Sequence, residues 1–244
     1  MAAKESQKPA FIPLEANPPL LTSLIHKLGV SPALAIHDVY SLDDPDLLAF
    51  VPRPALALLL VFPISEKYEA HRRAEDADRP EYQGKGEEDG VLWFQQTIRN
   101  ACGLMGLLHA AANGPARNFI ESGSTLDTLI KQATPLSRED RCALLENSQA
   151  LASAHRETAT QGDTEAPQAT DDVDLHYVCF VKTEDGRLWE LDGRRKGPLV
   201  RLEGMSADED VLSDKALKAG PVEFLGREGG DLRFSCVALA GALD

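Results

Sequence analysis

Apolar residues first recur at helical spacing at Leu20, Leu21, Leu24, Ile25 and Leu28, between the turn residues Asn17, Pro18 and Pro19 and a glycine at Gly29. This pattern predicts an amphipathic helix closed by Gly29. The run ALALLLVF over residues 55–62 is apolar at every position and is bounded by Pro52, Pro54 and Pro63. Its length and continuity predict a central strand buried on both faces. Charge and glycine then take over in HRRAEDADRPEYQGKGEEDG, and a segment so poor in apolar area is expected to form a mobile surface loop over about 71–90.

Further along, a helix is predicted over about 100–112, with Asn100 as its cap and Asn113, Gly114 and Pro115 as its stop. Ser137 followed by Glu139 and Asp140 reads as another helix start, and Leu144, Leu145 and Leu151 carry that helix past residue 150. Residues 156–174 lack apolar periodicity, and a loop of that length in a compact domain is either disordered or functional. HYVCFV, KTEDG and RLWELD over residues 176–192 read as two strands around a turn. The acidic stretch over 203–217 is expected to be a helix with a solvated face, and LRFSCVALA over 232–240 a closing strand.

Composition narrows the class. A chain of 244 residues, 43% hydrophobic, suits one well-cored domain with decorations. Its 39 acidic against 25 basic residues give a net charge of −14, which disfavours nucleic acid and anionic membranes and favours basic partners. The first residues do not read as a secretory signal, and no apolar run approaches the length of a membrane span, so a cytoplasmic, reducing setting is expected. There the four cysteines, Cys102, Cys142, Cys179 and Cys236, are not read as a disulfide framework. No CxxC and no zinc-finger spacing occur, so neither metal nor cofactor is expected.

Within this frame Cys102 sits at a helix start, where free N–H groups and the helix dipole favour a thiolate. A lone cysteine more often just fills core space. Gln96, six residues earlier, adds a side-chain amide able to donate to an oxyanion alongside the Cys102 N–H. The two meet only if the chain breaks near Arg99 and Asn100, because six residues of continuous helix would put them on opposite faces. His176 and Asp192 flank the predicted hairpin, whose folding brings an imidazole and a carboxylate into hydrogen-bond reach. Taken singly, each has an ordinary reading as a strand-edge histidine or a turn aspartate. His26, His37, His71, His109 and His155 lack such a partner on a hairpin.

Specific motifs run through the chain: PLEANP from Pro13, VPRP from Val51, FPISEKYE from Phe62, QTIRNACG from Gln96, LLHA from Leu107, NFIESGSTL from Asn118, DLHYV from Asp174 and ELDGR from Glu190. With these the chain resembles the ubiquitin C-terminal hydrolases of the short single-domain type, over nearly its whole length. The resemblance implies a papain-like α/β (α+β) fold, with a mostly antiparallel central sheet flanked by helices and a knotted chain path. It implies one catalytic domain over 1–244 with a crossover loop at about 150–170 that limits leaving-group size. Residue by residue it places the nucleophile on Cys102, the oxyanion donor on Gln96, the base on His176 and the orienting acid on Asp192. Leu14 and Glu15, with the crossover loop, are implied as contacts to the body of ubiquitin. The activity implied is that of a monomeric thiol hydrolase, without metal or cofactor, removing small adducts from the C-terminal glycine of ubiquitin through a thioester on Cys102. Two departures are an extra residue in KTEDG and an arginine, Arg99, at a position that is usually small. A catalytically idle ubiquitin-binding module and a preference for a ubiquitin-like protein are the competing readings.

Overall fold

The computed structural model describes residues 10–84, 90–162, 174–228 and 234–243. The first helix, α1 (Pro18–Leu28), forms as its pattern predicts: Asn17 caps the Leu20 N–H and Gly29 closes it in the left-handed conformation. The remaining helices are α2 (Pro45–Leu48), α3 (Glu66–Asp76), α4 (Cys102–Ala112), α5 (Thr125–Ala133), α6 (Arg138–Glu146), α7 (Gln149–Ala159), α8 (Asp214–Leu217) and α9 (Glu223–Glu228). Strands β1 (Leu34–Asp38), β2 (Ala57–Pro63), β3 (Leu175–Lys182), β4 (Leu188–Leu191), β5 (Leu199–Leu202) and β6 (Ser235–Gly241) make one antiparallel sheet. Their order is β1-β6-β2-β3-β4-β5.

The uninterrupted apolar run of β2 has a direct cause in this topology. Ala57 and Leu59 face the layer of α1 and α4, while Leu58, Leu60 and Phe62 face the layer of α3, α8 and α9. A strand covered on both faces leaves no position for a polar side chain. The C-terminal strand β6 is covered in the same way, because it inserts between β1 and β2 instead of closing an edge.

Three expectations give way. The segment expected as a loop over about 71–90 begins as helix α3, which Ser65 caps at the Tyr68 N–H; residues 85–89 lie outside the described residues. Its charges are used internally: Arg195, buried, bonds Glu75 and Asp76 of α3 and Glu190 of β4, and Arg201 bonds Glu75 and Glu190. Pairing across elements orders what composition alone assigns to solvent. The helix expected to run past residue 150 is interrupted at Asn147, and Ser148 caps a second helix, α7, at the Leu151 N–H. The acidic stretch over 203–217 is helical only in α8, because the Asp210 carboxylate takes the Leu212 and Ala55 N–H groups and pairs with Arg53, holding a turn where a helix was expected.

Removing one member of a buried ionic network strands the others without partners. Arg195→Leu is therefore expected to lower stability by about 3–5 kcal/mol, read as a fall in denaturation midpoint at unchanged denaturant slope.

Candidate active site

Helix α4 brings the cysteine to the sheet. Asn100 takes a positive φ of 58°, which turns the chain sharply, and the helix then starts at Cys102. Asn100 is thus a turn residue and not the expected cap; Ala101 occupies that position and provides no side-chain hydrogen bond to the first turn. An alanine at the cap has no side-chain acceptor for the opening N–H groups, and the helix dipole at this end favours an anion. Gly106 lets the helix lie against the sheet, since a Cβ there would come within 2.8 Å of Leu59 Cδ2. In this seat the Cys102 thiol points at the Leu175 carbonyl oxygen, 3.7 Å away, at the mouth of β3. Cys102 is half-buried, while Cys142, Cys179 and Cys236 are buried.

The next residue of β3 is His176, and its ring is 2% exposed. Its Nε2–H donates to Asp192 Oδ1 at 2.8 Å, which leaves Nδ1 for Cys102. The hairpin forms, but its register pairs Cys179 with Leu191 and Phe180 with Glu190. Asp192 therefore continues opposite Val178 and reaches His176 diagonally on the same face, not directly across as midpoint counting suggests. Diagonal neighbours remain within side-chain reach in an antiparallel pair. Burial alone would lower the His176 pKa, but the Asp192 carboxylate, and after it Cys102, outweigh that and raise it to about 9. Burial alone would raise Asp192; the His176 charge and the hydrogen bonds from His176, Tyr68 and the Arg194 N–H hold it far below the usual carboxylate range.

Gln96 arrives on an extended segment whose N–H bonds the Gly193 carbonyl at 2.8 Å. A Cβ on Gly193 would fall 2.9 Å from Gln96 Cβ, so the glycine after Asp192 is what allows the two segments to touch. Gln96 Oε1 is buried without a partner among the described residues, an open hydrogen-bonding position of the sort functional sites keep. The segment is fixed by two side chains, one on α4 and one on the residue that ends it. Asn113 bonds both the N–H and the carbonyl of Leu92, and His109 Nε2 accepts the Phe94 N–H at 3.0 Å. Burial holds the His109 pKa down at about 4, so the ring stays neutral and able to accept, and it also hydrogen-bonds the Leu191 backbone.

The N-terminal arm lies beside the cysteine, with the Phe11 N–H on the Arg99 carbonyl at 2.9 Å. Leu14, expected at the substrate surface, is instead a core residue. Its side chain fills the space left by Gly103, and its carbonyl accepts the Tyr177 hydroxyl at 3.0 Å. Glu15 is half-buried, with its carboxylate against Gly162, where the chain leaves α7. Of the expected crossover loop over about 150–170, the part to Ala159 is helix, and residues 163–170 lie outside the described residues.

Cysteine, imidazole and carboxylate thus converge from α4, β3 and the end of β4, and the segment carrying Gln96 packs against Gly193, the residue after that carboxylate. The family model described as ubiquitin carboxyl-terminal hydrolase, family 1, matches residues 11–219. The chain belongs to that family. It is 36% identical over 242 residues to ubiquitin carboxyl-terminal hydrolase 3 of Arabidopsis thaliana, covering 98% of this chain and 97% of that one. To a ubiquitin carboxyl-terminal hydrolase of Drosophila melanogaster it is 38% identical, covering 95% and 98%. Among solved structures, the UCH37 catalytic domain of Trichinella spiralis bound to ubiquitin vinyl methyl ester superposes with a TM-score of 0.72 over 96% of each chain. Identity there is 21%, so that likeness speaks for the papain-like fold.

The sequence alone singled out Cys102, Gln96, His176 and Asp192, of which His176 meets Cys102 and Asp192, while Gln96 packs on Gly193 just after Asp192. It missed Tyr68, whose hydroxyl donates to Asp192 Oδ2 at 2.6 Å. The only signal for it was its place in FPISEKYE, just before the stretch whose charge suggested a loop.

Proposed function

We propose that this member of the family is a thiol hydrolase that removes small amide, ester, thioester or short peptide adducts from the C-terminal glycine of ubiquitin. The observation that carries the reading is the buried 2.8 Å contact from His176 Nε2 to Asp192 Oδ1, on a ring that also interacts with Cys102 at the head of a helix. In the proposed reaction the Cys102 thiolate attacks the glycine carbonyl carbon. Gln96 and the Cys102 N–H stabilise the oxyanion, and protonated His176 delivers its proton to the leaving group. Water then adds to the thioester as its proton passes to His176, the C–S bond breaks, and its electron pair returns to sulfur.

A docking face for the protein substrate is suggested by the end of the sheet that carries His176. Phe62 pairs with His176 and Val61 with Ser235, while the Val39 N–H bonds the Cys236 carbonyl. The residues just beyond these, Tyr40, Phe234 and Leu175, are exposed at that end, and Phe50 packs edge-on against Tyr40. Exposed apolar side chains gathered at one end of a sheet are candidates for a protein-binding surface. Such a face at the end of the sheet where β3 reaches the cysteine suits a folded substrate presenting its C-terminus, and the net charge of −14 suits the basic tail of ubiquitin.

The test is turnover of ubiquitin carrying a C-terminal fluorogenic amide, alongside the same amide on ubiquitin-like proteins. Saturable release from ubiquitin is expected. The double variant Tyr40→Ser, Phe50→Ser should raise KM about tenfold or more with little change in kcat, as loss of uniform binding requires. No turnover, or preferential turnover of a ubiquitin-like protein, would overturn the assignment.

A further inference from the structure

The carboxylate of Asp192 has more donors than aiming an imidazole requires. Oδ1 receives both His176 Nε2–H at 2.8 Å and the Arg194 N–H at 2.9 Å, so that oxygen is fixed from two directions. Oδ2 faces the Tyr68 hydroxyl at 2.6 Å. Tyr68 is itself 2% exposed, packed edge-on against Phe62, with ring centroids 5.1 Å apart, and tilted against Phe224 at 5.9 Å. Its helix is clamped to the turn after Asp192: Glu69 pairs with Arg194, and Arg72 donates to the Arg194 carbonyl at 2.9 Å. Burial, and then the Asp192 charge, push the Tyr68 pKa far above the usual phenol range, so the hydroxyl always carries the proton it donates.

We propose that Tyr68 tunes the base: its hydroxyl draws on the Asp192 charge through Oδ2, limits how tightly Asp192 holds a proton on His176, and keeps that ring usable in thioester hydrolysis. The proposal rests on the triad reading above and deepens it. Tyr68 is a positioning residue in the sense that it acts only through Asp192. Thioester formation uses the protonated ring, which protonates the leaving group, whereas thioester hydrolysis uses the neutral ring, which takes the proton from water. A carboxylate with fewer donors concentrates its charge on His176 and favours the protonated ring. Loss of Tyr68 should therefore slow the second step selectively.

The other charged or titratable groups near this pair are Cys102 and His109 of α4, Arg72 of α3, and Arg194 and Arg195 after β4. None of them is altered by Tyr68→Phe, which keeps the ring and its packing against Phe62 and Phe224 and removes only the donor.

The experiment follows the His176 imidazole by NMR titration in wild type and Tyr68→Phe, with pre-steady-state turnover of a ubiquitin C-terminal ester. The variant should raise the His176 pKa by roughly half to one unit. At pH 7.5 it should lower kcat about three- to tenfold with thioester accumulating, leave kcat/KM within about twofold, and close the kcat gap as pH rises. Fluorotyrosine at position 68, a stronger donor of nearly the same shape, should move the His176 pKa the other way. An unmoved or lowered His176 pKa in Tyr68→Phe, or an equal fall of kcat and kcat/KM at every pH, would overturn the proposal. The titration is read without turnover. An inactive wild type therefore counts against the triad reading, and an active wild type with an unshifted variant counts against Tyr68 alone.

Discussion

Cys102→Ser is expected to lower kcat/KM for a ubiquitin C-terminal amide by about four to six orders of magnitude while leaving the thermal midpoint nearly unchanged. Serine keeps the helix start and the approach to Leu175, but a hydroxyl is a far weaker acid and nucleophile than a thiol. Covalent capture gives the sharper measurement. Ubiquitin carrying a C-terminal vinyl ester should attach to one cysteine, and peptide mapping should find it on Cys102. The three other thiols cannot compete: Cys142, Cys179 and Cys236 are buried, and burial pushes Cys236 up to about 12 and raises the other two as well. A label on any of those three, or capture that survives Cys102→Ser, would remove Cys102 from its role.

How much of this site the sequence exposed depends on whether a residue's partner lies nearby in the chain. Cys102 and Gln96 are six residues apart, and the chain break they require falls at Asn100, one of the few residue types that tolerates positive φ. That inference needed only local geometry. His176 and Asp192 flank one hairpin, so their meeting followed from the turn, although the register did not; the bonds of Thr183 with Gly186 and Arg187 centre the turn on Asp185, one residue past the simple midpoint, which shifts the pairing by two. The helix carrying Tyr68 and Glu69 was illegible for the opposite reason. Its charges are neutralised by Arg194, Arg195 and Arg201, more than a hundred residues further on, and composition cannot see a partner at that distance. The burial of Leu14 was hidden similarly, because nothing in PLEANP announces that Gly103 leaves a hole for a leucine. The sheet order was also hidden, since β6 pairs with β1 and β2 across nearly the whole chain.

Asp192→Asn is expected to lower kcat/KM at pH 7.5 by about 10²–10⁴-fold in a protein that folds normally. The surrounding donors decide how the amide sits. Both groups on Oδ1 are N–H donors, so the amide oxygen must stay there and the nitrogen must take the Oδ2 position. Tyr68 can turn its hydroxyl to accept from that nitrogen, because a phenolic oxygen both donates and accepts. The geometry therefore survives and only the charge is lost. With the carboxylate, His176 keeps its proton up to about 9; without it, burial takes over and lowers the imidazole pKa, leaving a neutral ring at physiological pH. The stability profile carries the same signature. In wild type the folded His176 pKa of about 9 lies above its ordinary 6.5, so the stabilisation from the pair is complete below about 6.5 and fades as pH rises through 9. In Asp192→Asn that decline should vanish from denaturation midpoints measured between pH 6 and 10. A variant that retains near-wild-type turnover, or one that keeps the decline, would show that Asp192 does not hold the charge on His176.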